Sequence, residues 1–215
     1  MLPVKSRLTL KLSLTYVLVA GWGVSVVAGI FVFNTYALKA TSTGPMSQSW
    51  PAASSLHREP GVSTLVMAIH PRCPCSETSL SELQGVLEHQ HARINTHLLV
   101  YQPKGYPADW VMTGLVRRAQ RSQGIDVVFD RGGEELGKFH ARVSGELWFY
   151  DGNGKLLFRG GITAGRGHAG RNSGLSSLTA LIDGGQPIAR DAPVFGCEIG
   201  GEDAIAGETA IAPNK

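Results

Sequence analysis

An apolar run, Leu65 to Ile69, is cut off by His70-Pro71-Arg72-Cys73-Pro74-Cys75, and the residues after it repeat at helical spacing: Leu80, Leu83, Val86 and Leu87. That junction leaves few folds open. Val62 to Ile69 is nearly all apolar, as expected of a central strand buried on both faces. Ser76, or Ser79 with Glu82, can cap the helix that follows. A strand therefore delivers two thiols to a helix N-terminus, where unpaired N–H groups and the positive end of the helix dipole favour a thiolate. Arg72 adds a positive charge beside them, and His70 can either tune the neighbouring thiol or sit satisfied at the strand end.

Between Leu12 and Phe33 lie 22 residues without a charge, enough to cross a bilayer core as a helix. Lys5, Arg7 and Lys11 precede it, a bias that keeps the N-terminus in the cytoplasm and predicts a single-pass anchor in the plasma (inner) membrane. The span is longer than a signal-peptide core, and no small-x-small cleavage site follows it. The rest of the chain is then extracytoplasmic, in the periplasm of a Gram-negative cell, where disulfides persist. The formal charge is only +3, and Arg117, Arg118 and Arg121 read as one solvated helix face, so nothing suggests nucleic acid.

The composition divides the rest of the chain. Residues 39–60 are rich in Ser, Thr, Ala and Pro and read as a flexible linker after the anchor of 1–38; the folded part spans 61–197, and 198–215 read as a disordered tail. Within the folded part Ile94 to Tyr101 is a second strand, and Asp109 can cap a helix carrying Val111, Leu115 and Ala119. Ile125 to Phe129 is a further strand, followed by a turn or two of helix from Glu134 to His140. Glu146 to Tyr150 and Lys155 to Arg159 flank Asp151-Gly152-Asn153-Gly154, a strong hairpin turn. Leu175, Leu178, Leu181 and Ile182 mark a last helix. His89, His91 and His97 are expected to face solvent. The order resembles the thioredoxin fold: α/β, a central mixed sheet flanked by helices, here preceded by one transmembrane helix.

Three strings narrow the resemblance: His70-Pro71-x-Cys73-Pro74-Cys75, then Gly160-Gly161-Ile162-Thr163 with Arg166-Gly167-His168 and Gly170, then Phe195-Gly196-Cys197. Together they resemble the membrane-anchored thioredoxin-like bacterial proteins labelled RedB. The resemblance implies an extracytoplasmic thioredoxin-like domain with a thiol-disulfide role. Two features depart from ordinary thioredoxins. C-x-C replaces C-x-x-C, and Gly145 stands where a cis-proline precedes the hairpin strand, so substrate docking by backbone pairing at that proline is not guaranteed. The peroxiredoxin signature is absent.

A C-x-C disulfide closes a very small ring and should be strained, which makes it either a ready oxidant or a poor competitor to another pairing. Cys197 offers that other pairing. Arg166 could hold a thiolate or a substrate carboxylate, and His168 could move protons. Placing them at the thiols requires the loop Gly160 to Gly174 to turn back, because Lys155 to Arg159 is expected to run antiparallel to the central strand. The first expectation is thus a membrane-tethered thiol-disulfide oxidoreductase without a cofactor, acting on protein thiols or disulfides or on an electron-donor protein. Cys73 is the preferred nucleophile, being nearer the strand end and the more exposed of the pair in a thioredoxin arrangement. Cys75 or Cys197 resolves the mixed disulfide. The rival expectations are a copper-binding module using Cys73, Cys75 and His168 or His70, and an anchored scaffold with idle thiols.

Overall fold

The computed structural model describes residues 4–88 and 94–200, with side chains from Leu14 onward. His89, His91 and the tail from 201 lie outside the described residues. The chain divides into two units, Met1–Leu38 and Lys39–Lys215. The first is a helix, α1 (Val4–Ala37). Its stretch Leu14–Ala37, 24 residues, is roughly 36 Å long at about 1.5 Å per residue, against a hydrocarbon core of ~30 Å. It is long and apolar enough to cross a membrane.

In the second unit the apolar run forms β1 (Ser63–Ile69), buried from Thr64 onward, and the thiol turn leads into α2 (Cys75–Glu88). β2 (Ile94–Gln102) runs parallel to β1. A 3-10 turn at Ala108–Val111 precedes α3 (Gly114–Arg121), whose cap is Thr113, accepting from Val116 N–H, rather than Asp109. β3 (Asp126–Arg131) pairs parallel with β2, and α4 (Glu134–Lys138) follows. β4 (Leu147–Tyr150) and β5 (Leu156–Gly160) form the expected antiparallel hairpin, its turn held by Asp151 Oδ1 accepting from the N–H groups of Asn153 and Lys155. α5 (Ser173–Ile182) is capped by Asn172, and β6 (Asp191–Ala192) adds parallel to β5. The sheet order is β3-β2-β1-β4-β5-β6, and the domain has a thioredoxin-like fold.

One expectation about direction fails. β1 and β5 are both antiparallel to β4, so β5 runs parallel to β1. Both strands end at the same edge of the sheet, and the glycine loop leaves β5 where the thiol turn leaves β1 without having to reverse.

Alternation along β1 feeds two cores. Leu65, Met67 and Ile69 pack with Leu80 and Leu83 of α2, Leu115 and Val116 of α3, and Leu178 of α5. Val66 and Ala68 face the other way, toward Leu136, Phe139, Trp148 and Tyr150. Among the described residues, the five-residue α4 is the one helix that covers that second face, and the segment expected to be a flexible linker completes it. Leu56 is buried there, and Trp50 stacks edge-on against Phe139 and Tyr150. Its backbone pairs with the hairpin through Trp50 N–H to Gly154 O and Leu156 N–H to Gln48 O. Ser54 and Ser55 bind the Glu135 carboxylate. His97, expected in solvent, is buried, its ring nitrogens bonded to Asp126 and to the carbonyl of His57 in the same segment. Composition predicts a tether because these partners lie far along the chain; the uncovered sheet face is what orders it.

Candidate functional site

The turn after β1 is tight. Cys73 N–H donates to His70 O, and Ser76 N–H donates to Cys73 O, which places the Cys73 sulfur beside the first turn of α2. Contrary to the expected exposure, Cys73 is the most enclosed of the three cysteines at 3 %, whereas Cys75 and Cys197 are half-buried.

The third cysteine arrives on an extended segment. Cys197 O accepts from Ser144 N–H at 2.8 Å, Ile199 N–H donates to Arg142 O at 2.7 Å, and Glu198 bridges Val143 in antiparallel sense. This pairing sets the Cys197 sulfur 3.0 Å from that of Cys73, close enough to share a proton. The Cys197 thiol is the largest influence on Cys73, holding it down to about 4 against the opposing effect of burial. The N–H of Cys197, the Ser76 hydroxyl and the N–H of Cys75 add to the lowering. The proton stays on Cys197, whose hydrogen bond to the Cys73 sulfur, its own burial and its partner's charge push it well above the ordinary thiol range. Burial and the Cys73 charge raise Cys75 as well. Of the C-x-C pair, then, Cys73 carries the anion.

The hydroxyl beside Cys73 belongs to Ser76, whose hydrogen bond lowers the thiol. Ser144 Oγ lies 2.6 Å from Ser76 Oγ and accepts from His70 N–H; with the Ser76 proton donated to the Cys73 sulfur, Ser144 donates to Ser76. Ser76 was legible as a helix cap; Ser144 was invisible in sequence because its role depends on β4 bringing its loop against the thiol turn. Gly145 next to it has φ of 89° and donates its N–H to Ala68 O at 2.7 Å, and no described peptide bond is cis.

Arg166 reaches the cluster. Its guanidinium acts on Cys75 by charge and hydrogen bond, and it donates to Gly196 O at 2.6 Å and to Thr41 Oγ1 at 2.7 Å. The loop that carries it is pinned by Gly170 N–H to Glu82 in α2 and by the Asn172 side chain to Ile162 O. Three other expected site residues are not drawn in. His168 is exposed and its Nδ1 lies 2.7 Å from Arg166 O. Arg72 is exposed and lies over the Trp110 ring at 4.8 Å, and it is not among the largest influences on Cys73. The His70 ring packs between Tyr101 and Trp110, with Nδ1 accepting from Arg72 N–H. Among the described residues no three metal-ligating side chains are grouped.

No protein-family model matches the chain. No curated protein matches it either. Among solved structures, a hypothetical protein of Sinorhizobium meliloti 1021 is 16% identical with a TM-score of 0.56, the match covering 75% of this chain and 97% of that one. An uncharacterized conserved protein from Geobacillus kaustophilus is 16% identical with a TM-score of 0.50, over 75% and 92% of the two chains. A secreted Mycobacterium tuberculosis disulfide oxidoreductase homologous to E. coli DsbE covers 58% of this chain and 83% of its own at 13% identity and a TM-score of 0.43. These likenesses concern the fold; the chemistry is read from the sulfur cluster.

Proposed function

We propose that the domain is a membrane-anchored, extracytoplasmic thiol-disulfide oxidoreductase of the RedB type in which Cys73 is the nucleophile and Cys197 the resolving cysteine. The observation that carries this is the 3.0 Å separation of the two sulfurs, with Cys73 held anionic at neutral pH. The three strings of the RedB resemblance support it by meeting at one place, through Cys73 with Cys197 and Arg166 with Gly196. In the reducing direction, Cys73 thiolate attacks one sulfur of a partner disulfide and the other leaves as a thiolate that takes up a proton. Cys197, deprotonated, then attacks the Cys73 sulfur, and the second partner sulfur leaves. The partner gains two electrons and two protons, and a Cys73–Cys197 disulfide remains; the oxidising direction is the reverse. Cys75 stands by as a neutral thiol, raised by burial and the Cys73 charge against the lowering effect of Arg166.

The test is full-length protein in detergent, reduced and then challenged with a small disulfide, followed by peptide mapping. We expect a Cys73–Cys197 bridge, a stalled mixed disulfide at Cys73 in Cys197→Ser, and retained turnover in Cys75→Ser. A bridge confined to Cys73 and Cys75 would overturn the assignment of Cys197, and tight Cu(I) binding without disulfide exchange would favour the copper reading instead.

A further inference from the structure

In the arrangement just described, Cys73 is closed to a partner's peptide segment. It is 3 % exposed, and the position 3.0 Å from its sulfur, where an attacked sulfur must come, is held by Cys197. The strand that holds it there is bound as a separate peptide would be: two backbone hydrogen bonds to Arg142 and Ser144 and an antiparallel bridge at Val143, the pattern of strand addition to a free edge. Outside that pairing it is fastened by the Gly196 carbonyl, which accepts from Arg166 and from the Thr41 hydroxyl, and by Thr41 N–H to Val194 O. The edge also imposes a size limit. A Cβ at Gly196 would land on the Ser144 carbonyl oxygen, so only glycine fits directly before the cysteine.

We infer that the Val194–Ile199 strand is a resident substrate mimic: it fills the edge at Arg142–Ser144 to which a partner's cysteine segment must bind, and that edge selects extended segments with glycine immediately before the cysteine. The inference rests on Cys73 being the nucleophile. Partner entry requires the strand to detach from Val194 onward while β6 keeps its place beside β5. A tethered segment competes at high effective concentration, so weakening its outer fastenings speeds entry. Thr41 and Ile199 are the residues to change, because their side chains fasten the strand without belonging to the Arg142–Ser144 edge; the Ile199 side chain does so by packing beside Leu136 and Phe139.

The experiment uses the full-length Cys197→Ser protein in detergent and two synthetic peptides, Val-Phe-Gly-Cys-Glu-Ile and Val-Phe-Ala-Cys-Glu-Ile. Each cysteine is activated as a mixed disulfide with a coloured aryl thiol. Cys73 attacks the peptide sulfur, the aryl thiolate leaves and is counted, and the peptide remains on Cys73. The glycine peptide should react about tenfold or more faster than the alanine peptide, the size of an overpacking penalty. Adding Thr41→Ala and Ile199→Ser should raise the rate for the glycine peptide further. Equal rates for the two peptides, with Cys73 still labelled and no acceleration in the loosened variant, would overturn the mimic while leaving the oxidoreductase reading intact. No labelling of Cys73 by either peptide or by a free aryl disulfide would remove both.

Discussion

A buried sulfur is ordinarily pushed toward its neutral form, since desolvation penalises the charge. Cys73 goes the other way because four donors converge on it: the Cys197 thiol, the Cys197 and Cys75 N–H groups and the Ser76 hydroxyl. Hydrogen bonds to an ionised group are the strong ones, and here they outweigh the burial cost. Cys73 is held at about 4 against an ordinary 9.0, which fixes the sign of two pH effects. Alkylation of Cys73 in reduced protein should be level through neutral pH and fall with a midpoint near 4, while Cys75, raised, should react only in alkali; mass spectrometry of labelled peptides reads both. The depressed pKa also stabilises the reduced fold fully above the unfolded thiol value and loses that contribution as pH falls through 4, by up to ~1.4 kcal/mol per unit between the two. Above the ordinary thiol range the raised Cys75 and Cys197 act oppositely, so reduced protein should be most stable on the mildly alkaline side. Ser76→Ala should move the midpoint up, and by more than Arg72→Ala, since Ser76 is among the largest influences on Cys73 and Arg72 is not. Sequence made the reactive pair legible but attributed it to Arg72 and the helix terminus, the only neighbours visible within a few residues. The dominant donor lies 124 positions away.

Among the elements, the segment between anchor and β1 departs furthest from its expected behaviour. Nothing in residues 39–60 has strand or helix periodicity, because its order comes from single anchors rather than from a repeating face: Trp50 against Phe139 and Tyr150, Leu56 in the second core, and two serines on Glu135. By contrast the central strand, the helix after the thiols and the Asp151-Gly152-Asn153-Gly154 hairpin were readable, since each is specified by local periodicity or turn chemistry. Burial opposes ionisation of Glu135, yet Lys138 at 2.7 Å, the Ser54 hydroxyl and both polar groups of Ser55 hold its carboxyl below the usual range. Its stabilisation is therefore present above the ordinary carboxyl pKa and lost as pH falls through the depressed value. Replacing Trp50 by Ala should lower stability by about 2–4 kcal/mol, and Glu135→Ala by about 1–3 kcal/mol through unsatisfied serine donors, measured by urea unfolding of the full-length protein. Cys73 alkylation in the folded state should be unchanged in both, because neither residue is among the groups acting on its sulfur. A variant that unfolds at the wild-type urea concentration would show that the segment is not part of the folded unit.

At the scale of the whole molecule, three strings that lie apart in the sequence, at residues 70–75, 160–170 and 195–197, come together because β1 and β5 run in the same direction. The thiol turn and the glycine loop leave one edge of the sheet, and the chain returns past β6 to lay Cys197 between them. A resting disulfide between these cysteines persists in an oxidising compartment and is only transient in a reducing one, which makes the orientation of the helix part of the proposed chemistry. Leu14–Ala37 is long and apolar enough to span, and its direction is set by positive charge counted near its ends. Lys5, Arg7 and Lys11 precede it, whereas Lys39 alone follows within the next eighteen residues. A reporter fused after Lys215 and active only outside the cytoplasm should therefore be active in the wild-type chain. Replacing Lys5, Arg7 and Lys11 by Gln while adding three lysines between residues 40 and 46 should invert the bias and silence it. Cys73 and Cys197 should then be recovered reduced, as free thiols, from the inverted protein, and as a disulfide or a mixture from the wild type. Activity of the reporter in the inverted chain and not in the wild type would place the domain in the cytoplasm and overturn the extracytoplasmic reading.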